Sequence, residues 1–272
     1  MALDCGYFDF SGFAIEVERF YSRLISLAES GREADSAPAL GGKLLYAGEL
    51  DASCRALVVA ASIAGAASLA VASDRAAQRM AIRDGVADFL VTSLDEALRI
   101  LKNEIRKRAT VAVCVGLAQG ESAGKFAGEM LERGVLPDLV ALPAAKGPEG
   151  ARFIEQGARL VELATAPDTA SVLLAWRVST APARWLPRLD ELAAACLRPE
   201  DGAARRWLRL APRYLGRAAQ NLRLLRCSED SAARFLEALR THAASGEIEV
   251  EVEVRLEYGG QVNSYCFSPS SH

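Results

Sequence analysis

The feature that most constrains the fold is an alternation of short apolar runs with amphipathic periods between Lys43 and Leu142. The apolar runs predict five strands: Lys43–Ala47, Ser68–Ala72, Asp88–Val91, Val111–Gly116 and Asp138–Leu142. The segments between them predict four helices: Cys54–Ala64, Arg75–Asp84, Leu94–Arg106 and Ser122–Arg133. Strands that are apolar on both faces and alternate with helices predict an α/β fold, a Rossmann-like parallel sheet with flanking helices.

The segments that flank this core have other patterns. Phe13–Ala28 carries apolar residues at helical spacing and predicts a helix, and the polar stretch Ser30–Gly42 predicts a linker. After the fifth strand we expect a helix and two more strands: Gly150–Gly157, Arg159–Ala164 and Val172–Val178. The predicted parts are an N-terminal helix and linker (1–40), a Rossmann-like domain (41–178) and a helical, arginine-rich segment that ends in a β-hairpin (179–272).

The segment Ala203–Arg226 contains seven arginines and no acidic residue. An apolar stripe at helical spacing predicts that one of its faces is packed: Trp207, Ala211, Tyr214, Ala218, Leu222 and Leu225. Three interpretations of the arginines are open: a solvated or internally paired face, with the glutamates of Glu247–Glu253 as partners, an oligomer contact, or a nucleic-acid site. The formal net charge of −3 and the absence of lysine from the cluster argue against nucleic acid.

The segment Glu247–Glu257 alternates apolar and mostly acidic residues, and Gly259–Gly260 is a turn signal. Pairing across this turn predicts three cross-strand pairs on the apolar face: Val252 with Phe267, Val254 with Tyr265, and Leu256 with Asn263. These strands also offer a sheet edge that could pair with another copy, so we expect a homo-oligomer.

Composition excludes several kinds of active site. The chain has only two histidines, His242 and His272, which argues against a Ser-His-Asp triad, a histidine-rich metal site and a histidine acid or base. Its six cysteines contain no C-x-x-C pair and predict buried free thiols of a cytoplasmic protein. Neither a basic-then-apolar leader nor an uncharged apolar run of about 18 residues occurs, so we expect no membrane association.

About 100 of the 272 residues carry a resemblance to a known family. The matching stretches are Gly42–Gly48, Ala60–Gly65, Thr92–Leu98 and Met130–Val140. This part of the chain resembles the central domain of urocanase (urocanate hydratase). The resemblance implies a Rossmann-type unit that holds a tightly bound NAD, which acts as an electrophile toward the imidazole ring of urocanate.

The residues that should hold the dinucleotide depart from that family's pattern. A glycine-rich loop should let backbone N–H groups approach the pyrophosphate after the first strand, but only Gly48 is kept, and Ser53 is a further candidate by position alone. Glu49 and Asp51 place carboxylates there instead, and Asp51 fits a helix N-cap. The acidic residue expected to hold a ribose hydroxyl falls on Ala72, which leaves Asp74 as a shifted candidate.

Two further cofactor-facing loops are also changed. The family's polar run after the fifth strand is replaced by Ala141–Pro148, and its asparagine-bearing loop after the fourth strand by Gly116–Ser122. That second loop offers polar groups to a ligand through Gly116, Gln119, Gly120 and Ser122, although an ordinary loop with Ser122 as helix cap is the favoured alternative. Cys54, near a helix start, is read as a packed thiol in preference to a nucleophile.

Three cofactor-facing segments have therefore lost polar or glycine residues, while the packing segments between them persist. We expect a urocanase-like protein without cofactor and without urocanate hydratase activity, acting as a scaffold or as a binder of a small-molecule ligand. The first alternative is a divergent hydratase or lyase that still uses NAD. The second is a structural or regulatory subunit that binds a partner protein.

Overall fold

The computed structural model describes residues 12–29, 40–162 and 171–269. These form two compact units. The α/β unit contains the described residues from Arg19 to Glu162, and the C-terminal unit contains those up to Glu18 and from Ser171 onward. Helix α1 (Phe13–Glu29) confirms the first predicted helix and contains the boundary between the units. Most of the predicted linker, residues 30–39, lies outside the described residues.

The α/β unit is built on a six-stranded parallel sheet with the order β3-β4-β2-β1-β5-β6. The strands are β1 (Leu44–Glu49), β2 (Ala67–Ala72), β3 (Phe89–Val91), β4 (Val111–Gly116), β5 (Leu139–Ala141) and β6 (Arg159–Val161). The helices are α2 (Ala52–Ala64), α3 (Arg75–Arg83), α4 (Leu94–Arg106), α5 (Ala123–Glu132), α6 (Leu142–Ala145) and α7 (Pro148–Glu155). The predicted α/β class and Rossmann-like core are confirmed, and the short helix α6 was not predicted.

Local sequence explains where these elements begin. The side chains of Asp51, Asp74, Ser93 and Ser122 each accept a hydrogen bond from the backbone N–H three residues later, which satisfies one unpaired donor of the helix that follows. All six residues of β2 are buried, as expected for a central strand with helices on both faces.

Two aspartates clamp the starts of strands to their neighbours. Asp88 donates its backbone N–H to the carbonyl of Ala112 and accepts the Ala112 N–H on its carboxylate, both at 2.8 Å. Asp138 makes the same pair of bonds to Leu44, both at 2.9 Å. Asp138 therefore holds β5 in register with β1.

The C-terminal unit contains an antiparallel sheet with the order β10-β9-β7-β8. Its elements are β7 (Val172–Arg177), α8 (Pro182–Cys196), α9 (Gly202–Leu215), β8 (Leu222–Cys227), α10 (Glu229–Ala244), β9 (Val252–Tyr258) and β10 (Gln261–Phe267). The predicted hairpin register is confirmed, since Val252 lies opposite Phe267 and Leu256 opposite Asn263. Strand β7 belongs to this sheet, because it pairs antiparallel with β8 and β9, and the predicted domain 41–178 had included it.

The predicted helical stripe is wrong at its C-terminal end. Helix α9 ends at Leu215, a 3-10 turn follows over Gly216–Ala219, and Leu222 and Leu225 lie in strand β8. Gly216, with a φ of +52°, ends the helix in the left-handed region that glycine tolerates. Two leucines three residues apart fit a helix, but pairing with β7 makes this segment a strand.

Three arginines of the Ala203–Arg226 segment have partners within the C-terminal unit. Arg205 donates to the carbonyl groups of Ala194 and Leu197 at the end of α8, at 2.8 and 2.7 Å. The ion pairs are Arg223 with Asp190 and Arg226 with Glu18, each with a shortest distance of 2.8 Å. Internal pairing is therefore confirmed for these three, but the expected partner is wrong: Asp190 and Glu18 take the place of the C-terminal glutamates.

Two glutamates of the C-terminal segment pair with arginines outside Ala203–Arg226. Glu253 pairs with Arg177 at 2.5 Å and Glu249 with Arg184 at 3.4 Å. Among the described residues, no helix has both the length and the apolar composition needed to cross a membrane.

Candidate functional site

Open α/β sheets bind ligands beyond the carboxyl ends of their strands, where neighbouring connections diverge to opposite sides. In this sheet the divergence occurs between the adjacent strands β1 and β5, because the chain leaves β1 toward β2 on one side and leaves β5 toward β6 on the other. We call the space beyond these two strand ends the switch-point crevice. Gly48 lies at the end of β1, and Leu142 begins α6 directly after β5.

Helix α6 packs against the end of β1 at the switch-point crevice. Gly48 has a φ of +76°, and a Cβ added to it would lie 2.8 Å from the Cβ of Ala144 in α6. On the other side of α6, a Cβ added to Gly150 would lie 1.9 Å from the carbonyl oxygen of Ala144. Two glycines thus let α6 sit between β1 and α7 at a distance that any larger residue would prevent.

Two backbone donors near a dinucleotide's expected position are bonded to carboxylates. Asp51 accepts the Cys54 N–H in the first turn of α2 at 2.8 Å, which confirms its predicted role as N-cap. Glu49 accepts both the backbone N–H and the hydroxyl of Ser73 at 2.8 Å. The residues after β1 therefore do not fit the pyrophosphate of a dinucleotide. Ser53 lies in the first turn of α2, beside this acidic loop.

Asp74 has a structural role of the same kind. It is the N-cap of α3 and accepts the Ala77 N–H at 2.8 Å. Near it, the Gln78 side chain donates to the carbonyl of Ala72 at 2.8 Å. A Cβ added to Gly116 would lie 3.1 Å from the side-chain amide of Gln78. The absence of a side chain at Gly116 therefore leaves room for the Gln78 amide over the ends of β2 and β4. Sequence reasoning missed Gln78, whose only signal is a polar residue in the first turn of a helix opposite a strand-end glycine.

The loop from Gly116 to Ser122 is held by bonds within itself and to the start of α5. Glu121 accepts the backbone N–H of Ala118 at 2.8 Å, and Ser122 accepts that of Lys125 at 3.3 Å. The Lys125 ammonium donates to the carbonyl of Gly120 at 3.2 Å. Gln119 and Gly120 are exposed. The structure thus brings Gly48, Asp74 and Gly116 to one edge of the sheet, while Gln119 and Gly120 face solvent.

Tyr46, next to the crevice, is a core residue. Its ring is 1% exposed and packs against Phe126 and Phe153 at centroid distances of 6.4 and 5.8 Å. Its hydroxyl donates to the carbonyl of Ala123 at 3.1 Å. Burial, together with the charge of Glu49, raises the pKa of Tyr46 well above its usual range, so this phenol stays protonated.

Two cysteines of the α/β unit, Cys54 in α2 and Cys114 in β4, also have structural roles. Cys54 is 1% exposed and donates its thiol to the carbonyl of Ala47 at 3.2 Å, in agreement with the packed interpretation. Burial, followed by the charge of Glu49, raises the pKa of Cys114 to about 11. Since the thiolate is the nucleophilic form, Cys114 remains the unreactive thiol at neutral pH.

The described ranges contain no group of three or more histidine, cysteine or acidic side chains placed to hold a metal ion. A scan against models of known protein families finds no match for the chain. The contacts described above show that the carboxyl ends of the strands carry helix caps, strand clamps and packed side chains.

Proposed function

We propose that this protein is a urocanase-like scaffold whose α/β unit has neither tightly bound NAD nor urocanate hydratase activity. The observation that carries the proposal is the contact between Ala144 and Gly48, which packs α6 against the end of β1 at the switch-point crevice. The sequence resemblance supports a common fold with urocanases, and this packing supports the loss of the ligand.

The packing around α6 opposes dinucleotide binding. A dinucleotide at the switch-point crevice would have to displace α6 from β1. Because a Cβ on Gly150 would lie 1.9 Å from the Ala144 carbonyl oxygen, α6 has no space to move toward α7. Displacement would then also disrupt α7, whose Phe153 is 1% exposed and belongs to the core around Tyr46.

The charges after β1 also oppose dinucleotide binding. Glu49 and Asp51 lie where a pyrophosphate would accept backbone N–H groups, and each carboxylate already holds such a donor. Like charges about 4 Å apart repel by about 4 kcal/mol at the effective dielectric near a protein surface. A diphosphate would therefore meet repulsion from two carboxylates, and these already hold the N–H groups of Cys54 and Ser73.

The test is calorimetric titration of the purified protein with NAD, together with an assay of urocanate consumption. We expect neither binding heat nor turnover, and a catalytically competent urocanate hydratase serves as positive control for both. The matched variant Glu49→Gln/Asp51→Asn removes both charges but keeps a capping side chain. We expect this variant not to bind NAD, because Ala144 still packs against Gly48. Saturable binding of NAD to the wild-type protein would contradict the proposal.

A further inference from the structure

A small apolar groove lies on the C-terminal unit between α9 and β8. The residues that line it include the buried Trp207 and Leu208 of α9, which are 3% and 6% exposed. Half-buried apolar residues also line it: Pro212 of α9, Ala218 of the turn that follows and Leu222 of β8. A groove of this kind suits the apolar side chains of a short peptide segment.

A row of arginines borders the groove. Leu208 and Pro212 line it, and the residues that directly follow them, Arg209 and Arg213, stand four apart and so share the adjacent side of α9. Both arginines are exposed, as is Arg217 in the 3-10 turn. In the described part of the chain, none of these three arginines forms an ion pair. Because guanidinium groups bind carboxylates well, the groove fits a segment that carries both apolar and acidic side chains.

The residues that precede α1 have the complementary chemistry. We call residues 1–11 the N-terminal segment. Its sequence has two carboxylates, Asp4 and Asp9, and contains neither lysine nor arginine. It also has three aromatic residues close together, Tyr7, Phe8 and Phe10. Aromatic side chains offer the largest apolar area to a groove, and the two carboxylates are opposite in charge to the arginines that border it.

The N-terminal segment is joined to the chain at the groove itself. Ala14, in the first turn of α1, is one of the residues that line the groove. An extended chain covers about 3.3 Å per residue, so Phe10 can reach about 13 Å from Ala14 and Asp4 about 33 Å. The part of α9 that lines the groove, Leu208–Leu215, is about 10 Å long. The N-terminal segment is therefore long enough to follow the groove along its whole length.

We propose that the N-terminal segment docks in the groove between α9 and β8 of its own chain. Its aromatic side chains contact the apolar surface, and Asp4 and Asp9 pair with the exposed arginines of α9. A segment joined to its site by a short linker has an effective concentration there of about millimolar, so a small contact is enough to hold it. This docking is independent of the proposed function, and it gives a role to Arg209 and Arg213.

Limited digestion of the full chain with chymotrypsin, followed by intact mass spectrometry, tests the docking. Cleavage after Tyr7, Phe8 or Phe10 requires that side chain to enter the apolar pocket of the protease, so the rate follows the undocked fraction. We expect the variant Arg209→Glu/Arg213→Glu to lose the N-terminal segment at least about tenfold faster than the wild type. The matched control Arg79→Glu changes an exposed arginine of α3 and should be cut at the wild-type rate.

Charge reversal on both sides separates docking from a general loosening of the fold. The change Asp4→Arg/Asp9→Arg should speed cleavage in the wild-type background and slow it in the Arg209→Glu/Arg213→Glu background, where opposite charges meet again. Both proteins then carry the same segment, so the sequence preference of the protease cancels.

Three results would overturn the proposal. The first is a wild-type protein cut as fast as the Arg209→Glu/Arg213→Glu variant, and the second is a charge reversal that fails to restore slow cleavage. The third is slow cleavage that is lost on dilution, because a second copy of the chain would then hold the segment.

Discussion

Replacing Gly48 by alanine tests whether the switch-point crevice is closed. The substitution places a Cβ on a backbone with a φ of +76°, 2.8 Å from the Cβ of Ala144. The left-handed conformation costs a residue with a side chain about 1–2 kcal/mol. Overpacking a well-packed site costs about a further 1–3 kcal/mol. We therefore expect Gly48→Ala to lower the free energy of unfolding by about 2–5 kcal/mol.

A matched control separates the two contributions. Gly120 has a φ of +86° and no atom within 4 Å of an added Cβ, so Gly120→Ala pays only the conformational cost of about 1–2 kcal/mol. Urea denaturation of both variants gives the difference, read from a shifted midpoint at an unchanged slope. Adding Ala144→Gly to Gly48→Ala should restore part of the loss, because it removes the atom that the new Cβ meets.

Two results would contradict a close contact between Gly48 and Ala144. If Gly48→Ala and Gly120→Ala destabilise the protein equally, Ala144 does not press against Gly48. The same conclusion follows if Ala144→Gly has no greater benefit in the Gly48→Ala background than in the wild type. In either case α6 would leave the crevice accessible, and the packing argument for a lost ligand would fail.

Three further predictions concern stability and are measured by equilibrium unfolding. Glu18→Ala should lower the free energy of unfolding by about 3–5 kcal/mol, because the Glu18 carboxylate is only 2% exposed and is the main partner of Arg226. Arg240→Ala, which removes an exposed ion pair with Glu237, should lower it by at most about 1 kcal/mol. Asp51→Ala should cost about 0.5–2 kcal/mol through the lost helix cap, and a neutral result would contradict that role. In the unfolded chain the Cys114 thiol ionises near its ordinary pKa of 9.0, whereas in the folded protein its pKa is about 11. The contribution of Cys114 to stability is therefore full below pH 9.0 and falls as the pH rises toward 11, by about 3 kcal/mol in the free energy of unfolding. Cys114→Ala should remove that part of the pH dependence, and an identical slope in both proteins would contradict it.

Much of the fold could be predicted because it depends on local patterns. Apolar runs of strand length gave β1 to β5, the residue types of Asp51 and Ser122 gave two helix caps, and strict alternation gave the register of Val252 with Phe267. Each of these features is set by side chains close in sequence or by a two-residue turn.

The features that could not be predicted depend on distant contacts. Leu222 and Leu225 fit a helical period, and only pairing with β7 makes their segment a strand. The partners of Arg223 and Arg226 lie 33 and 208 positions away in the chain, so the acidic pattern of the C-terminal segment could not identify them. The contact of Ala144 with Gly48 likewise requires β5 to lie beside β1, and strand order was not predictable from the pattern.

Native mass spectrometry of the purified protein tests the central claim most directly. A tightly held dinucleotide would remain bound to the folded chain and add its mass to the spectrum. The close packing of α6 against β1 predicts that the folded chain has the mass of the bare 29.1 kDa polypeptide, with no dinucleotide added. A stoichiometric dinucleotide on the folded protein, released when the protein is denatured, would contradict the account.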